Sequence, residues 1–172
     1  MILNRQRTVR VARPPLEAFL TRVREQLRLN GSEITIALVS DPAIARMNET
    51  YRHKKGPTDV LSFPGDARPR RNGARRKVRP TSVVGREGTA SAVPNSANEE
   101  GASAPEGHFL GDIAISPATA RRYAKKHGRT LPNELQILIL HGVLHLLGYD
   151  HETDNGQMTR VENRLRRKLG LR

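Results

Sequence analysis

The stretch that most constrains the fold is residues 131–147, which the sequence predicts to form one helix. Its apolar residues lie almost all round the helix axis, and such a helix must be buried on every side. Gly148 follows, and glycine readily takes the left-handed conformation that commonly ends a helix. We therefore expect this helix at the centre of the core. Its apolar residues are Leu135, Ile137, Leu138, Ile139, Leu140, Val143, Leu144, Leu146 and Leu147.

The same helix carries two histidines, and a third follows it closely. His141 and His145 are four positions apart, so both side chains leave one face of the helix a turn apart. A turn at Gly148 lets the chain double back and present His151 from another direction. A single histidine on an apolar helix is usually an ordinary core residue, but half of the chain's six histidines lie within residues 141–151. The pattern therefore predicts a metal site.

Zinc is the metal that these ligands suit best. Three neutral nitrogen ligands favour Zn2+ among common cytosolic metals, and three rather than four protein ligands leave a position for water, as in catalytic zinc sites. The chain has no cysteine, which excludes disulfides, thiolate catalysis and zinc held by Cys. We therefore predict one Zn2+ per chain, held by His141, His145 and His151.

The histidine spacing is also that of the metzincin proteases, in which a catalytic Glu follows the first histidine. Gly142 stands at that position here, so the general base of a protease is missing. A zinc metallopeptidase therefore remains only as an alternative function. Glu134, seven residues before His141, is either a partner of the metal site or an ordinary first-turn acid stabilised by the helix dipole.

Composition sets the class of protein and of partner. A length of 172 residues fits one domain, and the low hydrophobic share of 36% suggests that part of the chain does not pack. A net charge of +13 implies an anionic partner, and nucleic acid fits better than a membrane. No apolar run of about twenty residues and no apolar signal core occur, so we expect a cytoplasmic protein without membrane association.

The elements are predicted in the order βαβαββααα, which favours an α+β domain with a small mixed sheet of about four strands, packed with helices. The metal site would lie at the end of the buried helix. In the second helix, Ile44, Met47 and Tyr51 are spaced to face a core. The predicted strands are 2–11, 34–39, 60–63 and 109–115, and the predicted helices are 14–29, 41–52, 117–127, 131–147 and 154–169.

Residues 66–107 differ in composition from the rest of the chain. Gly, Pro, Ala, Ser, Asn and Arg dominate and no aromatic residue occurs, so we expect a disordered insertion within a single domain of residues 1–172. Residues 68–79 hold seven cations and no acid. They form either a flexible RNA-binding arm or a solvated tract.

Three motifs in this order resemble those of the YbeY family, the bacterial endoribonucleases of ribosomal RNA maturation. The first is His-Gly-x-Leu-His-Leu-x-Gly-Tyr-Asp-His at residues 141–151. The second comprises Thr-Tyr-Arg at 50–52 and Pro-Thr-Asp-Val-Leu-Ser-Phe-Pro at 57–64, and the third is Leu-Gly-Asp-Ile at 110–113. The resemblance covers the chain except residues 66–107, where the family has a short connection.

The resemblance implies a metal-dependent endoribonuclease that cuts single-stranded RNA in the maturation of ribosomal RNA, at the small-subunit 3′ end, and in ribosome quality control. It implies ribosomal RNA and ribosomal subunits as partners and no small-molecule cofactor. It also implies that the strand at 109–115 lies at the sheet edge, beside the active-site cleft. The remaining alternative is a non-catalytic ribosome-assembly factor that uses zinc only to hold its fold.

Arg52 is the residue whose interpretation the resemblance changes. By itself it reads as a surface arginine at a helix C-terminus, favourable with the helix dipole. It occupies the arginine position of the second motif, which implies that it holds the scissile phosphate or its developing charge. The chain has only six aromatic residues, most of them expected in the core, so we predict no stacking platform for RNA bases.

Overall fold

The computed structural model describes residues 1–65, 108–151 and 154–171. The order of its elements confirms the predicted order of strands and helices. Among the described residues, no helix combines the length and the hydrophobicity that crossing a membrane requires. The elements are β1 (Ile2–Asn4), α1 (Arg13–Gln26), β2 (Ser32–Leu38), α2 (Asp41–Arg52), β3 (Val60–Pro64), β4 (His108–Ile115), α3 (Pro117–Lys126), α4 (Leu131–Leu146) and α5 (Gln157–Leu169).

The four strands form one mixed sheet in the order β1-β2-β4-β3. β1, β2 and β4 are parallel, and β3 runs antiparallel to β4. The expectation that the strand at 109–115 lies at the sheet edge is wrong, because β4 pairs on both sides and β3 is the edge strand next to it. β3 pairs with the edge of β4 that was expected to be open, and it runs antiparallel to β4.

The two faces of the sheet have different covers. Residues such as Ile36 and Ile113 point to the face that holds the main core, with α1 and the fully buried part of α4. Alternate residues, including Leu61 and Ala114, point to the other face and pack against Ile44 of α2. α2 and α4 therefore lie on opposite faces of the sheet, and the predicted burial of the central helix is confirmed.

Tyr51 differs from its prediction as a core residue. It lies in the last turn of α2 and is 56% exposed, with its ring edge-on to Phe63 at 5.1 Å between centroids. The core ends beneath this turn, because the ring lies beside the edge strand. Phe109 and Tyr123 are also exposed, so the expectation that most aromatic side chains are in the core is wrong for these three residues.

The first strand is shorter than predicted, since β1 ends at Asn4 and not at residue 11. The buried side chain of Gln6 replaces the strand pairing beyond this point. Its Nε2 donates to the carbonyl of Val9 at 2.8 Å, and its Oε1 accepts from the Val9 amide at 2.9 Å. A side chain that satisfies backbone groups in this way allows the chain to leave the sheet without unpaired polar atoms.

The connection between β3 and β4 contains the segment predicted to be a disordered insertion. Residues 66–107 lie outside the described residues, so that prediction is untested. The described ends of the connection are close together, because the Gly65 amide donates to the Leu110 carbonyl at 2.9 Å. Both flanking strands belong to the same sheet.

Candidate metal centre

Three histidine side chains converge where α4 ends. His141 and His145 project from its last two turns. The helix stops at Leu146, and Gly148 takes a φ of +86°. The Tyr149 amide then donates to the Leu144 carbonyl at 3.1 Å, which closes the helix end and turns the chain back. One ring nitrogen from each of His141, His145 and His151 lies within 4.8 Å of the other two, so the predicted convergence is confirmed.

The first two histidines have their Nε2 atoms turned toward each other, 3.1 Å apart. On the other side of its ring, His141 has Nδ1 3.2 Å from Oε2 of Glu162. A carboxylate only accepts, so in the neutral form of His141 the proton is on Nδ1 and Nε2 carries the lone pair. Two nitrogens bound to one tetrahedral Zn2+ lie roughly 3.3 Å apart. The donor set and this spacing therefore fit a metal ion.

The electrostatics of the site keep His145 in the form that binds a metal. The pKa of His145 is lowered to about 4, mainly by burial and further by electrostatic repulsion from His141 and His151. A hydrogen bond at Tyr149 acts in the opposite direction but does not outweigh these effects. The ring is therefore neutral at pH 7, and the neutral imidazole is the metal ligand.

Glu162 of α5 is a partner of the site that sequence reasoning missed. Burial raises the pKa of Glu162, but the hydrogen bond from His141 and the charge of Arg166 outweigh burial and lower it overall. Arg166 donates to Oε1 of Glu162 at 2.6 Å. A signal was present in the sequence, because Glu162 falls between Met158 and Leu165 on the apolar stripe of an otherwise basic helix.

Gly142 explains why the protease carboxylate is missing. A Cβ atom at this position would lie 2.9 Å from both Cδ1 and Cγ2 of Ile113 and 3.2 Å from Oγ of Ser62. The Ser62 hydroxyl also donates to the Gly142 carbonyl at 3.3 Å. The helix therefore presses against β3 and β4 at this residue. A Glu side chain there would have to displace the side chain of Ile113, which counts against the metallopeptidase alternative.

A cavity of about 200 Å³ lies beside His141. Glu134 lines it and is buried, and its carboxylate is paired with Arg129 at 3.1 Å. Of the two interpretations of Glu134, the structure favours an acid of the first helical turn, because its described partner is an arginine. The other lining residues are Asp59, Val60, Arg129, Ile137, Leu138 and Arg166.

Arg52 is the last residue of α2 and is exposed. The next residue, His53, takes the left-handed conformation with a φ of +55° and ends the helix. β3 touches both helices, since Phe63 contacts Tyr51 of α2 and Ser62 contacts Gly142 of α4. A role of Arg52 at the reacting phosphate remains a prediction.

Comparison with known proteins identifies the family. A family model described as Endoribonuclease YbeY matches residues 1–170. The chain belongs to the YbeY family. A relative from Solibacter usitatus, named Endoribonuclease YbeY, is 35% identical over 159 residues, which are 92% of this chain and 80% of the relative. A second one, from Koribacter versatilis and of the same name, is 34% identical over 171 residues, which are 99% and 86% of the two chains.

The YbeY-like fold has a further parallel in the solution structure of a protein from Thermotoga maritima. The TM-score is 0.52, and the alignment covers 98% of this chain and 89% of the other. At 21% sequence identity this likeness concerns the fold alone.

The YbeY motif at 110–113 has a structural explanation in Gly111. This residue has a φ of +142°, and a Cβ atom there would collide with the Phe63 carbonyl and lie 2.9 Å from Cδ2 of Leu146. The register between β2 and β4 shifts next to it, between Phe109 and Gly111, as at a β-bulge. Glycine is therefore needed where β3 and the histidine-bearing helix α4 both approach β4.

Proposed function

We propose that this chain is a metal-dependent endoribonuclease that acts in ribosomal RNA maturation. The observation that carries the proposal is the match of the YbeY model to residues 1–170, in a chain whose three motif histidines converge. The curated relatives carry the name Endoribonuclease YbeY. A net charge of +13 suits an RNA partner, because it attracts polyanions at physiological salt.

The residues that would hold the metal are His141, His145 and His151, and we propose Zn2+ as the ion. All three donors are imidazole nitrogens, which zinc accepts in catalytic sites with an open position. Bound zinc supplies Lewis acidity toward a phosphodiester and activates water. The chain's own contribution is to hold two of the rings with facing Nε2 atoms and to keep His145 neutral.

We propose Arg52 as the catalytic residue that holds the scissile phosphate. Its guanidinium stands on the exposed last turn of α2, in the Thr-Tyr-Arg motif at 50–52. A planar guanidinium can donate two parallel hydrogen bonds to a phosphate and is always charged at neutral pH. Such a donor stabilises the charge that grows on phosphate oxygens during cleavage.

The finer features of the proposal concern substrate, partners and organisation. We propose single-stranded ribosomal RNA as substrate, ribosomal subunits as partners and the cytoplasm as location. We also propose one domain over residues 1–172, interrupted by the insertion at 66–107. The single sheet shared by β3 and β4 supports one domain, because the strands on both sides of the insertion belong to it.

The experiment is metal analysis and RNA cleavage on the same purified preparations of wild type and His145→Ala. We expect about one zinc per wild-type chain and cleavage of single-stranded ribosomal RNA, with both lost in the variant. His127→Ala is the matched control, since His127 is an exposed histidine that stacks on Tyr123 outside the cluster. It should retain metal and activity.

The same preparations separate the alternatives. Cleavage of generic peptides by the wild type, without cleavage of RNA, would support a metallopeptidase. Ribosome binding that His145→Ala leaves unchanged, in the absence of any RNA cleavage by the wild type, would support a non-catalytic assembly factor.

A further inference from the structure

Glu162 is a buried carboxylate whose two oxygens have separate partners. Only 8% of the residue is exposed. Oε2 lies 3.2 Å from Nδ1 of His141, and Oε1 accepts from the Arg166 guanidinium at 2.6 Å. The contact therefore links α5 to α4 at the first of the three histidines, across twenty-one positions of sequence.

We propose that Glu162 is a positioning residue of the metal site. It holds the ring of His141 so that Nε2 faces His145 and the ion, and Arg166 holds Glu162 in turn. The inference rests on the proposed metal site and deepens it, because it assigns the site a supporting residue on the C-terminal helix. Glu162 acts through His141 and does not touch the metal or the RNA.

The chemical reason is the tautomer of His141. A neutral imidazole carries its proton on either Nδ1 or Nε2, and only the nitrogen without a proton can bind a metal. A carboxylate that accepts from Nδ1–H favours the tautomer with a bare Nε2. It also fixes the rotation of the ring and makes the ligand more basic.

The location of Glu162 argues against an incidental ion pair. An arginine four positions away can pair with a glutamate on the exposed face of a helix at little cost. Glu162 instead occupies the buried stripe that Met158, Leu165 and Leu169 define, where an apolar residue would avoid the cost of burying a carboxylate. The polar contact that this buried location adds to the pair with Arg166 is the one with His141.

Glu134 supplies the matched comparison within the same molecule. It is also a buried glutamate that pairs with an arginine, and it lines the cavity beside His141. Its described ion-pair partner is Arg129 and not a histidine of the cluster. The two glutamates therefore share burial and an arginine partner but differ in the contact with a metal ligand.

The test measures the zinc affinity of the full chain by competition with a zinc chelator. Four proteins are compared: wild type, Glu162→Gln, Glu162→Met and the control Glu134→Gln. Glu162→Met should weaken zinc binding by about tenfold to a hundredfold, the usual effect of losing a partner of a metal-bound histidine. Glu162→Gln keeps an acceptor oxygen and the side-chain shape, so it should weaken binding less, by about threefold to tenfold. Glu134→Gln should bind zinc as tightly as the wild type.

A second measurement follows the tautomer directly and does not depend on activity. Long-range 15N–1H NMR of the metal-free protein should show the His141 proton on Nδ1 in wild type. In Glu162→Met it should show a mixture of the two tautomers. Glu162→Gln, which changes the shape of the core least, serves if the Met variant fails to fold, and thermal unfolding of the metal-free proteins verifies folding.

The outcomes separate this inference from the proposed function. Wild-type zinc affinity in both Glu162 variants, or an equal loss in Glu134→Gln, would overturn the positioning role while the metal site stands. A wild type that binds no zinc would overturn the site and the inference together. RNA cleavage does not enter the measurement, so its success or failure is judged separately.

Discussion

His145 illustrates at the scale of one residue how burial prepares a ligand. Its pKa falls from an ordinary 6.5 to about 4, first because the ring is buried and then because two other histidines stand beside it. In the unfolded chain the ring takes up a proton as the pH falls through about 6.5. In the folded chain it stays neutral until the pH reaches about 4. Between these values protons bind the unfolded state and favour unfolding.

We therefore predict that the metal-free protein loses stability between pH 6.5 and pH 4.5, by on the order of 1–2 kcal/mol from His145 after allowance for solvent screening. The check is urea unfolding with a chelator at pH 7.5 and pH 5 for wild type and His145→Asn. The variant should show a smaller pH dependence. Glu162 and Asp41, whose pKa values are also lowered, contribute only below their ordinary 4.5 and 3.8. An equal slope in both proteins contradicts the assignment.

Gly142 yields a prediction about packing. Alanine there forces its methyl group against Ile113, which costs about 1–3 kcal/mol in a packed core and outweighs the gain of up to about 1 kcal/mol in helix propensity. Gly142→Ala should therefore lower the free energy of unfolding by about 1–2 kcal/mol, measured by urea denaturation. Ile113→Val removes Cδ1, one of the two crowded atoms, so the double variant should recover part of the loss. A fully additive double variant would show that the two side chains do not meet.

Arg52 yields a prediction about catalysis. If it stabilises the charge of the transition state, Arg52→Ala should lower the turnover rate by about a hundredfold or more and change RNA affinity only modestly. Lys55→Ala removes an exposed cation from the following loop and is the control. We also expect attack by water, so the products should carry no 2′,3′-cyclic phosphate. Cyclic ends, or a variant whose only defect is weak binding, would show that this assignment is wrong.

At the scale of elements, local pattern was enough for α2, α3 and α4 and for the convergence of the histidines. These depend on side-chain spacing, helix-starting prolines and one glycine, all of which are local in sequence. The extent of β1, the edge position of β3 and the exposure of Tyr51 depend on which elements meet in space. Glu162 belongs to this second class, because its partner on α4 is twenty-one positions away.

The connection between β3 and β4 yields a prediction at this scale. Replacing residues 68–105 by a short turn should change the free energy of unfolding by less than about 1 kcal/mol, since the hydrogen bond from Gly65 to Leu110 already joins the two strands. If the arginine tract at 68–79 contacts phosphates, the shortened chain should bind RNA more weakly and with a flatter salt dependence.

A full-length chain with the seven cations of that tract replaced by serine separates charge from length. The same loss of affinity in both variants assigns the effect to charge. An unchanged salt slope in both reduces the tract to a solvated linker.

At the scale of the whole molecule, the fold places a histidine cluster at the end of its most buried helix. α4 has a fixed position because the main core surrounds it. β3, β4 and α5 contact it at Ser62, Gly111 and Glu162. Ser62 of the second YbeY motif and Gly111 of the third therefore lie against the helix that carries the first motif, although the three motifs are far apart in sequence. The central claim is that metal held there is required for RNA cleavage.

The most direct test of that claim is a zinc titration of metal-stripped protein. Bound zinc and cleavage of single-stranded ribosomal RNA are measured on the same samples. We predict no cleavage without metal. The cleavage rate should rise linearly with bound zinc and reach its maximum at one zinc per chain. Zinc should be retained near pH 7 and lost in mild acid, because protons compete for the same three rings. Full cleavage by the metal-free protein, or no cleavage at one bound zinc per chain, would contradict the account.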